Sequence, residues 1–464
     1  MMQRVVFCIS LLCLVFPAFS QENSLVISNI VISGNFKTRP NIILRELTFQ
    51  KGDTLISSEL ETNTSRSREN ILNTSLFNYV TIRVLNNSDS SLDIHIDVEE
   101  RWYFWPAVIF KYEDRNFSAW LKAKDLSKTK YGFSLEKFNF TGRKQNLRIS
   151  FLFGYAKQIE ISYKNIALDR NRRHFIGAMA EVSRQDEMIF DTKNNEPVLF
   201  KSTYQPVFER DKFTINYTYR PFLNDFHNLY VNYFKYSISD TILKLNSDFL
   251  GRNVKEMECF TVDYVFTKDK RDIKAYPLKG YYFELLAGQT LSLPVTKKSF
   301  SSSVIIPNFY KFFEINSKIH YATNLTLKLS YNNTNSYFYS RSLGYIYNLH
   351  GFEYNTIEGE HFVIFKNLVK FTLLNTKVTE LRFIPLPKFN KIHYAIYFNV
   401  FTDCGYVSSK YQSIENSYAN KFLYSGGVGL DFVTYYDKTL RAEYSMNGFG
   451  KGGFFFHLTA PINK

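Results

Sequence analysis

Apolar and polar residues alternate one by one through much of the chain beyond residue 100. Across 324–332, Leu325, Leu327, Leu329 and Tyr331 take turns with Thr326, Lys328, Ser330 and Asn332. Phe213, Ile215, Tyr217 and Tyr219 do the same against Thr214, Asn216 and Thr218. So do Leu440, Ala442, Tyr444 and Met446 against Arg441, Glu443 and Ser445, and Leu147, Ile149 and Phe151 against Arg148 and Ser150. A period of two predicts strands with one apolar and one polar face. Soluble sandwiches alternate too. Here, however, the segments are about ten residues long, recur to the C-terminal end and are dense in Tyr and Phe, as membrane-crossing strands are. The expectation is a mainly β protein in which residues 103–464 form a 16-stranded transmembrane β-barrel. One of its strands is placed at 309–320, the first at 104–112 and the last at 452–460.

Residues 25–100 lack that aromatic density and mix two periods. Leu25–Ser33 alternates, and Gly34-Asn35 turns. Pro40 opens a helix that places Ile43, Leu44 and Leu47 on one side. After Lys51-Gly52-Asp53, helix formers run over Ser58–Leu72, and Tyr79–Leu85 and Leu92–Val98 are two further strands. The order is β-α-α-β-β, a small α+β domain ahead of the barrel. Residues 1–20 read as a signal peptide, with Arg4, the apolar run Val5–Phe16 and then Pro17-Ala18-Phe19-Ser20. That run is too short to span a bilayer.

Charge and composition narrow the chemistry. Lys and Arg exceed Asp and Glu by 57 to 43, a formal +14. Export would separate this basic chain from nucleic acid, so the charge is expected in or beside a membrane protein. Of four cysteines, two lie within 1–20, leaving Cys259 and Cys404, which could pair but make no disulfide framework. No His/Cys group has metal-ligand spacing, and no phosphate loop or nucleophile elbow is present. A protein without catalytic residues, metal or cofactor is expected.

Short motifs carry a family resemblance. Ile32-Ser33-Gly34-Asn35, Ile43–Glu46, Gly52-Asp53 and Leu76-Phe77-Asn78-Tyr79-Val80 resemble a POTRA domain. Asp269, Arg271, Asp272, Pro277 and Gly280 match a D-x-R-D…P-x-x-G turn. Leu349, His350, Gly351 and Phe352 stand where the BamA/TamA outer-membrane assembly superfamily has V-R-G-F in a loop folded into the barrel. Phe401-Thr402-Asp403-Cys404-Gly405 is similar to its F-x-D-x-G strand end, and Ser425–Asp431 followed by Thr439–Glu443 looks like its closing strand pair. The resemblance implies insertion, assembly or translocation of polypeptides at the bacterial outer membrane, with the POTRA domain in the periplasm. The partners implied are outer-membrane lipid, unfolded or partly folded clients, and periplasmic or lipoprotein subunits. A two-partner-secretion-like translocator and a passive channel are the alternatives.

The chain departs from the family pattern at three places. His350 replaces the loop Arg, Lys370 stands where the family has a second wall acid, and a tail Leu458–Lys464 replaces the terminal aromatic. The implied docking is a Lys370–Asp403 pair with His350 above it. At the barrel seam, Pro106 in the first strand lacks an N–H, opposite Phe454, Phe456 and Leu458 of the last. Either few hydrogen bonds join those strands, or the proline lies outside the paired stretch.

Overall fold

The computed structural model describes residues 24–88, 90–112, 129–294, 299–380, 391–410, 414–434 and 438–457. The proposed signal peptide, Leu458 and the tail lie outside them. The described residues fall into two compact units, one built chiefly from Ile43–Glu99 and the other chiefly from Glu100 onward.

The first unit holds β1 (Ser24–Ser33), β2 (Thr54–Ile56), α2 (Ser57–Leu72), β3 (Phe77–Ser88) and β4 (Ser91–Glu100), with α1 (Pro40–Leu44) divided between the two units. Its sheet order is β2-β1-β4-β3, with β1 and β4 parallel. The alternation along β4 buries Leu92, Ile94 and Ile96, while α2 contributes Ile71 and β3 contributes Phe77. The three-residue β2, paired Leu25 to Leu55, was not foreseen, because three residues are too few to display a period.

The second unit is a sixteen-stranded antiparallel sheet. It begins with β5 (Phe104–Tyr112), β6 (Thr129–Phe140), β7 (Gln145–Gly154), β8 (Ala156–Ala167) and β9 (His174–Gln185). A hairpin of β10 (Glu187–Lys193) and β11 (Glu196–Lys201) stands off the sheet before β12 (Phe208–Tyr219) and β13 (Asp225–Ile238). A short helix, α3 (Asp240–Leu245), leads to β14 (Glu256–Asp269), β15 (Gly280–Ser292), β16 (Ser301–Glu314) and β17 (Ile319–Asn332). Residues 333–360 hold only the short β18 (Arg341–Leu343) and β19 (Ile357–Glu358). The sheet resumes with β20 (His361–Glu380), β21 (Lys391–Ser408), β22 (Phe422–Thr434), β23 (Lys438–Asn447) and β24 (Gly452–His457).

The faces of these strands invert the order of a water-soluble protein. Along β23, Thr439, Arg441, Glu443, Ser445 and Asn447 are buried while Leu440, Tyr444 and Met446 are exposed. On β17, His320, Asn324, Thr326, Lys328 and Ser330 are buried while Leu325, Leu329 and Tyr331 are exposed. An apolar exterior around a polar interior is the signature of a membrane-spanning barrel.

The strand expected at 309–320 is corrected. That window straddles the turn between β16 and β17, where Asn316 Oδ1 accepts from the N–H groups of Lys318 and Ile319. The true strand starts at Ser301 and passes through Pro307, which faces Leu285 of β15. On the β17 side the pairing is interrupted between Ile305 and Asn308, where proline offers no N–H. The Ser-rich start and the proline hid its period.

At the barrel end remote from Phe104 the connections form a core of their own. Met188 of β10, Ile242 of α3, Phe249, Phe300 and Tyr337 pack in one buried cluster. Leu343, Leu349, Phe352, Ile357, Val407 and Tyr418 form a second.

A charge on the outer face tests this orientation. Leu325→Arg should cost about 2–4 kcal/mol near the bilayer midplane, and Leu325→Phe within about 0.5 kcal/mol of nothing. Urea titration in phospholipid vesicles measures both.

Candidate functional site

Residues 333–360 enter the lumen, and the four residues Leu349–Phe352 make the contacts that hold them there. Leu349 is buried in the second cluster, and Gly405 on β21 leaves the space for it: a Cβ at 405 would come within 2.9 Å of Leu349 Cδ1. The backbone N–H of His350 donates to Asp403 Oδ2 at 3.1 Å, and its ring Nδ1 donates to the same oxygen at 2.7 Å. The imidazole lies on Phe401, with ring centroids 4.2 Å apart. Gly351 adopts φ +78°, and its carbonyl accepts from Asn447 Nδ2 at 2.8 Å. A Cβ there would meet the backbone of Met446 and Asn447 at 3.2 Å, so the position requires glycine twice over. Phe352 sits edge-on to Tyr418 and Phe449. The loop thus bridges β21 and β23.

A buried charge network continues from His350 along the wall. Its Nε2 is 3.7 Å from Glu443 Oε2, so the ring lies between two carboxylates. Arg441, two residues before Glu443, forks onto Asp431 of β22 at 2.5 and 2.7 Å. The hydroxyl of Tyr276, from the turn between β14 and β15, donates at 2.6 Å to Asp431 Oδ2, the oxygen that also accepts from Arg441 Nη2. Burial, then the Asp431 charge, push that hydroxyl well above its usual range, keeping it a donor. Lys370 Nζ lies 3.9 Å from the centre of the Tyr276 ring and donates to the carbonyl of Pro277 at 3.1 Å. Ion pairs this deeply buried stabilise only when nearly every donor and acceptor is matched.

Residues 25–101 match the POTRA family, described as surface antigen variable number repeat. Comparison of the sequence with curated proteins gives no match. Among solved structures the fold is similar to CdiB from Escherichia coli, at 11% identity and TM-score 0.54 over 93% of this chain and 75% of that one. It is also similar to BamA from Haemophilus ducreyi lacking POTRA domains 1-3, at 15% identity and TM-score 0.50 over 93% and 84%. In this chain a POTRA domain is followed by a sixteen-stranded sheet, and the fold is the one these two structures share.

In this barrel the expected Lys370–Asp403 pair does not form. The register between β20 and β21 sets Lys366 opposite Asp403 and Lys370 opposite Asn399. Four residues along a strand are about 13 Å. Lys370 serves the Tyr276 turn instead, and the second acid facing His350 is Glu443. Glu443, Asp431, Arg441 and Tyr276 were missed as site residues. For Asp431, Arg441 and Glu443 the signal in the sequence was charge on the inward positions of two strands read only as a closing strand pair; Tyr276 lies in a turn and carried none.

The turn motif is placed as a structural clasp. Arg271 forks onto Asp269 at 2.8 and 2.9 Å and covers the Tyr282 ring at 4.6 Å, while Asp272 accepts from the N–H of Leu278. Gly280 has φ +101°, and a Cβ there would lie 2.1 Å from the carbonyl of Lys270. At the seam, Pro106 is inside β5 and faces Leu135 of β6. Phe454 and Phe456 are exposed on β24. Metal-ligand spacing is absent along the sequence, yet the fold brings Glu353, Glu443 and His457 together.

Coupling energies check these assignments. His350→Ala and Asp403→Asn should each destabilise, with a coupling of about 0.5–3 kcal/mol in the double mutant, whereas Lys370→Ala and Asp403→Asn should add within about 0.5 kcal/mol. Urea unfolding of the three single and two double variants reads out both.

Proposed function

We propose that this protein inserts or assembles client polypeptides at the bacterial outer membrane, with its POTRA domain in the periplasm and without chemical catalysis. The observation carrying this reading is the order of the large sheet, which ends at β5 and β24; among the described residues neither strand pairs with the other. β24 is described over six residues and leaves Phe454 71% exposed. An unpaired strand edge in hydrocarbon is costly because its N–H and C=O groups find no water. A client strand that adds there satisfies both chains at once. Within the POTRA sheet the long outer strand β3 offers a second edge of the same kind.

Translocation of a client through the lumen, as in two-partner secretion, is the second reading. It requires the loop that carries His350 to leave its seat on Asp403 and Asn447. A passive channel fits less well, since two packed clusters gather the loops at one end of the barrel.

A disulfide across the seam separates the first two readings. In a Cys259→Ser, Cys404→Ser background, cysteine pairs placed in β5 and β24 are screened for cross-linking, and the locked protein is supplied as the sole copy. Quantitative outer-membrane proteomics should show client barrels depleted under oxidation and restored by reductant. Unchanged client levels in the locked protein would assign passage to the lumen.

A further inference from the structure

We infer that Glu353, Glu443 and His457 form a divalent-cation site, suited to Zn²⁺, that clamps the lumen loop to the last two strands of the barrel. One ligand atom from each residue lies within 4.8 Å of the other two. The three come from separate elements: Glu353 from the loop just past Phe352, Glu443 from β23 and His457 from β24. Arg441 pairs with His457 and Glu443 with Phe455, so Glu443 and His457 are diagonal neighbours across this ladder.

A second observation is independent of that convergence. The Glu443 side chain is completely buried, and His457 Nε2 is 3.3 Å from its Oε1. Even so, no hydrogen bond among the described residues reaches either Glu443 oxygen or His457 Nε2. Buried acceptors whose cations stop short of hydrogen-bond distance are costly unless something positive joins them more closely. Arg441 is held by Asp431 and approaches Glu443 Oε2 only to 4.0 Å, and His350 Nε2 only to 3.7 Å.

The donor set selects the ion. Two carboxylate oxygens and one imidazole nitrogen suit Zn²⁺, with ligand distances of about 2.0–2.2 Å and a fourth position for water. Ca²⁺ calls for roughly six to eight oxygens, and Mg²⁺ for a near-octahedral oxygen shell. Small side-chain adjustments from 4.8 Å would complete the tetrahedron. The competing account is a proton: burial and the Glu443 charge hold the Glu353 carboxyl well above its ordinary range, so a protonated Glu353 could sit beside Glu443. The metal inference stands on the side-chain geometry and does not rest on the polypeptide-handling reading.

The test uses the full-length protein in detergent, stripped with EDTA and titrated with ZnCl₂ and with CoCl₂. We expect one Zn²⁺ per chain by elemental analysis, a rise in unfolding temperature with Zn²⁺, and the visible absorption of tetrahedral Co²⁺. Glu353→Gln and His457→Ala should each weaken Zn²⁺ binding at least about tenfold, a loss of about 1.4 kcal/mol or more. His457 is partly exposed at a strand end, so its variant keeps the test decisive if Glu353→Gln misfolds. No bound Zn²⁺ and an unshifted unfolding temperature would overturn the inference in favour of the proton. Zn²⁺ binding unchanged in either folded variant would overturn it by placing the ion elsewhere.

Discussion

A carboxylate buried inside a barrel must be met by a cation or a donor, and this constraint organises the lumen. Asp403, Asp431, Glu443 and Glu353 are all buried there, against Arg441, Lys366 and Lys370. Asp403 is met by the loop itself, through the backbone and ring of His350. Asp431 is met from the wall by Arg441 and from the turn by Tyr276. Removing one partner of such a pair typically costs about 3–5 kcal/mol, because the other charge stays buried. The loop is therefore held on Asp403 by contacts that are lost when it moves, leaving that carboxylate without its His350 donors.

That network can exist only because the strands face inward with their polar side. Lipid takes Leu325, Leu440 and Tyr444, which frees the opposite positions for Asn324, Arg441 and Glu443. Glycines on both sides then admit the loop: Gly405 of the wall receives Leu349, while Gly351 of the loop presses against the backbone of β23. The contacts of Leu349–Phe352 reach β21 and β23, and β23 pairs with the terminal strand β24. Displacing the loop consequently alters the wall next to the seam, which offers a physical link between lumen occupancy and the edge strands.

Much of this was legible in the sequence where the signal is local. Alternation at Leu325–Tyr331 or Leu440–Met446 identifies strand and face within a single segment. The Leu349–Phe352 and Phe401–Gly405 motifs could be matched because each is contiguous, and they do meet in space. What escaped depends on register between segments. Lys366 and Lys370 both point inward, and only the β20–β21 ladder decides which one faces Asp403. Glu443 and Tyr276 reach the site from strands and turns far away in the chain, with no spacing rule to tie them to His350. The window at 309–320 failed for a related reason, since Pro307 and the serines before it interrupt the apolar period of β16.

The central claim is that the loop seated on Asp403 and Asn447 obstructs the lumen. Single-channel recording in planar bilayers, comparing the intact protein with a variant in which residues 345–356 are replaced by a short Gly-Ser linker, tests it most directly. The account predicts a nearly silent intact protein and large, stable openings once the loop is gone. Equal conductance in the two proteins would contradict it.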